Sequence, residues 1–240
     1  MRANQKLIGR NGKQVALFPL EYINVSQADD DTFSHESWYY ATDYLGWNAS
    51  GRVFRCPCYA PVDIKCIYVD TTECMAVWES LSEVNLANGP VDYLGLIVYH
   101  DNDITNGLVT VGTIKRQGEV FNKTGTGGAG VTGDHMHLET GYGKYSQPNI
   151  STPRGTANYK YHFTDYTDVK RLHNYDALYS NDTVIYNSPS YYIWKTYSGG
   201  HTPTQNNKSK FPWVLYAKRL RDKMYWQFVS FNIYYCKRRI

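Results

Sequence analysis

The apolar residues of this chain fall in short runs separated by turn-forming residues, and this pattern constrains the fold more than any other feature. The runs are rich in β-branched and aromatic residues and are punctuated by Gly, Pro, Asn and Asp, which is typical of strands joined by turns. None keeps an apolar period of 3.6 residues for long, so few or no helices are expected there. The sequence therefore predicts a mainly β fold between about residues 15 and 145. The runs are VALFPL, RVFRCPCYAPVDIKCIYVD, MAVWES, YLGLIVYH, GLVTVGTI and HMHLET.

The chain changes character after this region. Residues 147–160 are rich in turn formers and polar residues, which indicates a linker. We therefore predict a first domain over residues 1–146 and a small β-rich C-terminal extension over residues 161–240. The many Tyr and Trp side chains of the extension suit stacking on sugar rings or packing against the first domain. A short helix and two aromatic strands are predicted in it, at 167–179, 182–187 and 191–197.

Charge and hydropathy exclude several classes of function. A net charge of +3 over 240 residues is far below that of a nucleic-acid-binding protein, so no nucleic-acid partner is expected. No apolar run reaches membrane-spanning length, so no membrane insertion is expected either. The first residues, MRANQKLIGRNGKQ, lack the pattern of a secretory signal peptide. We therefore expect synthesis in a cytoplasm.

The cysteines allow several interpretations. Their odd number in a chain without a signal peptide favours reduced thiols over a disulfide framework. Four of them form C-x-C-x7-C-x7-C, and buried strand cysteines explain this spacing better than a structural zinc site does. A cysteine nucleophile, as in a cysteine-dependent amidase, would need a partnered histidine, and no sequence feature marks a cysteine as activated. The cysteines are Cys56, Cys58, Cys66, Cys74 and Cys236.

The strongest local motif is the heptapeptide GDHMHLE at residues 133–139. Residues two apart in a strand point to the same face, so His135 and His137 can both enter one cleft. An H-x-H pair on a strand is a familiar source of imidazole ligands for a metal. Taken alone it is equally compatible with two histidines on a solvated strand face.

A second histidine and a carboxylate occur earlier in the chain, at His35 and Asp43. Two histidines and one aspartate form a three-ligand zinc set that leaves the fourth tetrahedral position open for water or substrate. Structural zinc sites are normally closed by four protein ligands, so an open set favours hydrolysis. Asp30 and Asp31 are alternative carboxylates, although they precede the histidine.

Five motifs in order give the chain a recognisable resemblance. They are SH…YATDYLG, APVDIKCIYVD, YHDND, VGTIKRQGE and GTGGAGVTGDHMHLE, spread over residues 15–145. The chain resembles the lysostaphin-type zinc metallopeptidases, the glycyl-glycine endopeptidase family with the duplicated hybrid motif fold, and especially its phage and prophage members. In that family the first motif is often H-x-x-x-D, whereas seven residues separate His35 from Asp43 here. The resemblance implies an antiparallel β-sheet metallopeptidase core.

The resemblance also implies a site and a function. One zinc ion would be held by His35, Asp43 and His137, with His135 and His100 as catalytic histidines. The substrate would be a peptide bond in the cross-bridge or stem peptide of bacterial peptidoglycan. Such a protein would reach the wall after lysis of the cell or as part of a phage tail. The alternative is a non-catalytic module of a phage tail or of wall binding.

Other polar residues near these motifs have a structural interpretation as well as a functional one. Three histidines lie outside the matched region and are predicted to be surface or packing residues. Three carboxylates can orient a histidine ring, although a surface or turn position is the favoured interpretation. The glycines from Gly125 to Gly130 are predicted to form a turn beside the cleft. The histidines are His162, His173 and His201, and the carboxylates are Asp101, Asp103 and Glu139.

Overall fold

Strands dominate the computed structural model, which describes residues 1–31, 34–35, 40–88, 90–128, 130–145, 162–163 and 169–199. The predicted mainly β architecture is confirmed, and the two helices of the described residues have four residues each. The strands are β1 (Tyr22–Gln27), β2 (Thr42–Tyr44), β3 (Trp47–Asn48), β4 (Gly51–Arg52), β5 (Pro57–Tyr59), β6 (Ile64–Asp70), β7 (Met75–Ser80), β8 (Val84–Asn85), β9 (Val91–Asp92), β10 (Leu94–Tyr99), β11 (Ile114–Lys115), β12 (Val120–Lys123), β13 (Met136–Tyr142), β14 (Lys170–Leu172) and β15 (Val184–Asn187). The helices are α1 (Asn102–Thr105) and α2 (Asn174–Ala177).

Nine strands form one large sheet in the order β11-β6-β7-β10-β13-β2-β1-β15, with β14 also paired to β13. All of its pairings are antiparallel except the parallel pairing of β1 with β15. The predicted antiparallel sheet is therefore present. Three two-stranded ribbons, β12-β5, β3-β4 and β8-β9, accompany it.

Strand β13 determines where the candidate site lies. One of its edges pairs with β10 along its whole length, and the other is shared between β2 and β14. In this register His137 stands opposite Asp43 of β2 and opposite Tyr99 of β10. Directly opposite residues of an antiparallel pair point to the same face. The ladder therefore presents His137 and Asp43 side by side.

The main core fills the opposite face of the sheet. Trp78, Leu96, Val98 and Leu138 come from three adjacent strands and have no exposed surface. They pack with some twenty further buried apolar side chains in one cluster. Full burial of one such side chain contributes about 1.5–3 kcal/mol to folding. This core makes the ladder under the site rigid.

A smaller apolar cluster covers part of the site face. Phe163 and Val169 pack there against residues of β7 and β10. Gly95 and Gly141 face each other across β10 and β13 and leave room for them. A Cβ atom at position 141 would lie 2.7 Å from Val169 Cγ1 and 2.8 Å from the Lys170 carbonyl oxygen. These two glycines therefore permit residues 163 and 169 to approach the sheet closely.

The predicted extension contributes strands to the same sheet. Among the described residues of the helix predicted over 167–179, the helical part is Asn174–Ala177, because Lys170–Leu172 pair with β13 instead. The strand predicted over 182–187 is confirmed by β15. The strand predicted over 191–197 is wrong, since its described residues form only an isolated bridge from Lys195 to Tyr179.

Contact density divides the chain into two compact units, Met1–Tyr197 and Ser198–Ile240. All the elements given above lie in the first unit. The predicted linker at 147–160 lies outside the described residues. The division of the chain into domains at that point stays a prediction.

Two of the predicted apolar runs are not regular strands. Residues 15–20 are completely buried and form isolated bridges to Asn85 and Tyr179. Residues 107–113 form turns, because Gly107 and Gly112 adopt positive φ angles of 70° and 94°. Glycine adopts such angles readily, but they do not occur in a regular strand.

Among the described helices, neither has the length or the apolar character needed to cross a membrane.

Candidate metal centre

Asp43 lies at the centre of a group of histidines. Its Oδ1 atom is 3.3 Å from His35 Nε2 and 3.1 Å from His137 Nδ1. All three residues are buried or nearly so, and their ligand atoms lie within 4.8 Å of one another. Their burial and spacing are those of a group that can hold one metal ion.

The donor set and its spacing fit a zinc ion. Nitrogen and oxygen ligands at the usual zinc distances stand about 3.3 Å apart at the corners of a tetrahedron, close to both contacts of Asp43. Neither contact has hydrogen-bond geometry, and within the described part of the chain Asp43 Oδ1 is buried with no hydrogen-bond partner. A buried carboxylate oxygen without a partner is costly, and a cation at this position would remove that cost.

In each of the two histidine rings of this group, the nitrogen that does not face Asp43 has a polar partner that orients the ring. His35 Nδ1 donates a hydrogen bond of 3.0 Å to the Ala28 carbonyl, so Nε2 is the atom that faces Asp43. His137 is turned the other way, since its Nε2 lies 3.3 Å from Glu139 Oε1 and its Nδ1 faces Asp43. Such second partners fix the tautomer of a ligating histidine.

The charges of the group favour cation binding. Burial alone would raise the pKa of Asp43, but the adjoining rings of His137 and His35 lower it well below its usual range. Burial lowers the pKa of His137, but Asp43 and Glu139 outweigh it and raise that pKa to about 9. The carboxylate is therefore ionised at neutral pH, and in the metal-free protein a proton occupies His137.

Two further histidines face this group. His135 Nε2 lies 3.5 Å from Asp43 Oδ2, and the His135 and His100 rings are 4.5 Å apart between centroids. Each ring donates its Nδ1 hydrogen to a backbone carbonyl, that of Gly133 at 2.8 Å and that of Gly127 at 2.9 Å. Nε2 is therefore the proton-accepting atom of each neutral ring. Burial, followed by the neighbouring histidines, lowers the pKa of His100 to about 3.

His100 is held in an unusual backbone conformation, with φ at 79°. Such a conformation in a non-glycine residue costs on the order of 1–3 kcal/mol and clusters at functional sites. Its N–H donates to the Cys74 carbonyl at 2.9 Å, and its carbonyl accepts from Gly127 N–H at 3.0 Å. These bonds fix the ring against the glycine turn, which lies beside the histidines as predicted.

Asp101 holds the next part of this loop. Its carboxylate accepts from Arg55 Nη1 at 2.7 Å, from Lys123 N at 2.7 Å and from Asp103 N at 3.0 Å. The last of these bonds caps α1. Asp101 is 1% exposed, so of the two positions favoured for it, surface or turn, it occupies the turn position at the start of α1. It anchors the loop that carries His100 and contacts no histidine side chain among the described residues.

An open groove of about 500 Å³ adjoins His100. Small and polar residues line it, and the carbonyl of one of them, Gly127, is the acceptor for His100 Nδ1. Backbone and hydroxyl groups of this kind can form hydrogen bonds with a polar ligand. The lining includes Thr71, Thr72, Asn102, Thr105, Asn106 and Gly127.

The structure brings all five predicted site residues together. His35, Asp43 and His137 form one group, and His100 and His135 lie next to it. Of the alternative carboxylates, Asp30 is exposed and bonded to the Tyr191 hydroxyl instead. The roles of the five residues are taken up as a proposal below.

Of the residues behind the ligand group, sequence reasoning named Glu139 as an alternative partner of a histidine ring and missed the contact made by His162. Glu139 has no exposed surface, so the surface position favoured for it is wrong. The period-two alternation from His135 through His137 places it on the site face, and that signal was available. His162 is 6% exposed and contacts Glu139, and no local motif marks it. His173 Nδ1 contacts Asp29, the residue next to Ala28.

The cysteines are free and buried, as predicted, at the four positions described. Burial raises the pKa of Cys56, raises that of Cys58 well above its ordinary value and raises that of Cys66 to about 12. Thiols with raised pKa values are poor nucleophiles at neutral pH. Among the described residues no group with metal-binding geometry contains a cysteine. These observations favour neither a cysteine nucleophile at Cys56, Cys58 or Cys66 nor a cysteine zinc site among the described residues.

Comparisons with known proteins give sequence relatives and several distant structures. No family model matches the chain. Morphogenesis protein 1 of Bacillus phage B103 is 30% identical over 199 residues, covering 83% of this chain and 49% of that protein. The chain thus spans about half the length of this curated relative.

The structural similarities are weaker. A zinc-containing peptidase from Vibrio cholerae shares 17% identity at a TM-score of 0.35, covering 56% of this chain and 42% of that one. The catalytic domain of lysostaphin from Staphylococcus simulans shares 14% identity at a TM-score of 0.31, covering 59% and 83%. TM-scores this low do not establish a shared fold.

Proposed function

We propose that this chain is a zinc-dependent endopeptidase that hydrolyses peptide bonds of bacterial peptidoglycan. The observation that carries the proposal is the buried Asp43 Oδ1, which faces His35 and His137 and has two more histidines beside it. Zinc held by two histidines and an aspartate acts as a Lewis acid and activates water. The three-residue set leaves a position for substrate, as hydrolysis requires.

The remaining histidines would supply proton transfer and charge stabilisation. In each neutral ring Nδ1 is engaged by a backbone carbonyl, so Nε2 of His100 and of His135 is the atom that takes up a proton. Once protonated, the same N–H can donate to the oxygen on which negative charge develops. The lowered pKa of His100 keeps its ring neutral before reaction. Both residues are thereby suited to catalysis rather than to metal binding.

The substrate class is proposed from the groove and from the relative. The polar groove beside His100 offers backbone and side-chain hydrogen bonds to an extended peptide. The similarity to a morphogenesis protein of a Bacillus phage supports a phage or prophage origin. A phage protein with a peptidase site meets peptidoglycan either during entry, as part of the particle, or at lysis. Cross-bridge and stem peptides are both included in the proposal.

A second candidate function is a structural module without catalysis. The name of the phage relative, Morphogenesis protein 1, favours it. A structural module has no need of an ionised, buried carboxylate between two histidines, nor of two additional histidine rings beside them. The two functions are separated by whether peptide bonds are cut.

The proposal is tested on the full chain with purified walls of several Gram-positive species. We expect one zinc per chain, and release of new amino termini that mass spectrometry assigns to peptide bonds of the wall. Excess chelator should abolish release, and added zinc should restore it. Asp43→Asn should lose the metal, and His135→Ala should keep the metal while losing cleavage.

Glu83→Gln is the matched control for the carboxylate-to-amide change. Glu83 is half exposed and paired with Lys13 at the surface, and such pairs contribute about 0–1 kcal/mol. It should behave as the unaltered protein in both assays. Undiminished cleavage in excess chelator would overturn the metal mechanism. Zinc binding without cleavage of any wall would support the structural module.

A further inference from the structure

Glu139 is a completely buried carboxylate behind the ligand group. Its Oε1 atom contacts His137 Nε2 at 3.3 Å and is also in contact with His162 Nδ1. Its Oε2 atom accepts from the Phe163 backbone N–H at 3.2 Å. A buried carboxylate needs such partners, because its loss of hydration costs several kcal/mol. Two of the three come from residues 162 and 163, far along the chain from β13.

The sheet leaves a space on its surface in which residues 162 and 163 pack. The Phe163 side chain lies over Gly95 and Gly141, whose missing side chains leave the space it fills. Val169 packs in the same place, just before Lys170 joins β13 as part of β14. The contact between His162 and Glu139 is therefore supported by backbone pairing and apolar packing on the same face.

We infer that His162 is a positioning residue for His137 and acts through Glu139. The inference rests on the proposed role of His137 as a metal ligand. That role requires Nδ1 to carry a lone pair towards Asp43, and therefore requires Nε2 to carry the hydrogen. Glu139 Oε1 accepts that hydrogen, and His162 holds the same oxygen in place from its other side.

The effect of this arrangement is on metal affinity. A carboxylate hydrogen-bonded to the far nitrogen of a ligating histidine orients the ring and increases its basicity. Without His162, the contacts that Glu139 retains with described residues are those with His137 and Phe163, and its carboxylate is held less firmly against the ring. Loss of such a second partner typically weakens metal binding about 10–100-fold.

The test measures zinc affinity of the full chain by competition with a chromophoric chelator. His162→Phe removes the polar contact and keeps a ring, and we expect a dissociation constant raised about 10–100-fold. His162→Asn keeps a donor near the position of Nδ1 and should restore most of the affinity. The visible absorption of bound Co²⁺ should change in His162→Phe and return in His162→Asn.

Val77→Ala is the matched control, because it loosens the same apolar cluster from β7 and leaves residues 162 and 163 unchanged. It should lower thermal stability without changing zinc affinity. Equal weakening in Val77→Ala and His162→Phe, or unchanged affinity in His162→Phe, would overturn the inference alone. Absence of zinc binding in the unaltered chain would overturn the proposed function as well.

One other outcome bears on the inference. His137, Glu139 and His162 also have the spacing of a metal-binding group. A second equivalent of zinc that disappears in His162→Phe would show that His162 is itself a ligand, and would overturn the positioning role. A single equivalent in every variant that binds zinc supports it.

Discussion

The raised pKa of His137 predicts a steep pH dependence of metal binding. In the metal-free protein Asp43 and Glu139 raise that pKa to about 9 in spite of burial. A ligand nitrogen must be unprotonated, so zinc has to displace this proton. The sign follows directly: the metal-free state holds one more proton than the metal-bound state, and affinity therefore rises with pH until the pH exceeds about 9.

The size of the pH effect on zinc affinity follows from the pKa of His137. At pH 7 the protonated form of the His137 ring outnumbers the neutral form about 100-fold, because pH 7 lies about two units below the pKa of about 9. Zinc affinity should then be about 100-fold below its high-pH limit, or about 3 kcal/mol. The pKa of Asp43 is lowered, so this carboxylate is already ionised and adds no slope near neutrality.

The assay is zinc competition between pH 6 and 8, corrected for protonation of the chelator. The apparent dissociation constant should fall about tenfold per pH unit. Calorimetry at pH 7 in buffers of different ionisation enthalpy should report release of about one proton per zinc. Glu139→Gln removes one of the two partners that raise the pKa, so its slope should level off at a lower pH. An affinity that is flat from pH 6 to 8, with no proton release, would refute the reasoning.

Two further predictions concern the scaffold. Gly141→Ala places a Cβ atom 2.7 Å from Val169 Cγ1 and should lower the free energy of unfolding by about 1–3 kcal/mol in urea titrations. Gly133→Ala meets nothing within 4 Å and is the control, and an equal loss there would contradict the packing argument. Cys58 is fully buried with a raised pKa, so alkylation of the native protein at pH 8 should spare it until denaturant is added. Rapid native modification, located by peptide mass mapping, would disprove this.

The parts of the site that could be predicted depend on local periodicity. His135 and His137 are two apart in a strand, and that alone places both rings in one cleft. Asp43 follows from the resemblance, and the register of β2 against β13 explains why it, rather than Asp30, lies among the histidines. The mainly β fold is likewise predictable from short apolar runs.

The parts that could not be predicted depend on contacts between distant segments. His162 meets Glu139 only because Phe163 and Val169 find space over two glycines of other strands. Lys170–Leu172 lie in the segment predicted to be helical, yet they pair with the half of the β13 edge that β2 does not occupy. Tertiary pairing overrode local propensity there. No window of the sequence contains both partners of either contact.

The position of Asp43 in the strand ladder has a consequence for how such chains diverge. Because pairing with β13 places the carboxylate opposite His137, the number of residues between His35 and Asp43 is not fixed by the site. Insertions and deletions in that interval leave the carboxylate where it is. One residue inserted within β2 would turn it to the opposite face of the sheet. A search pattern for remote homologues should therefore leave the histidine-to-aspartate gap open and hold the strand residues around Asp43 constant.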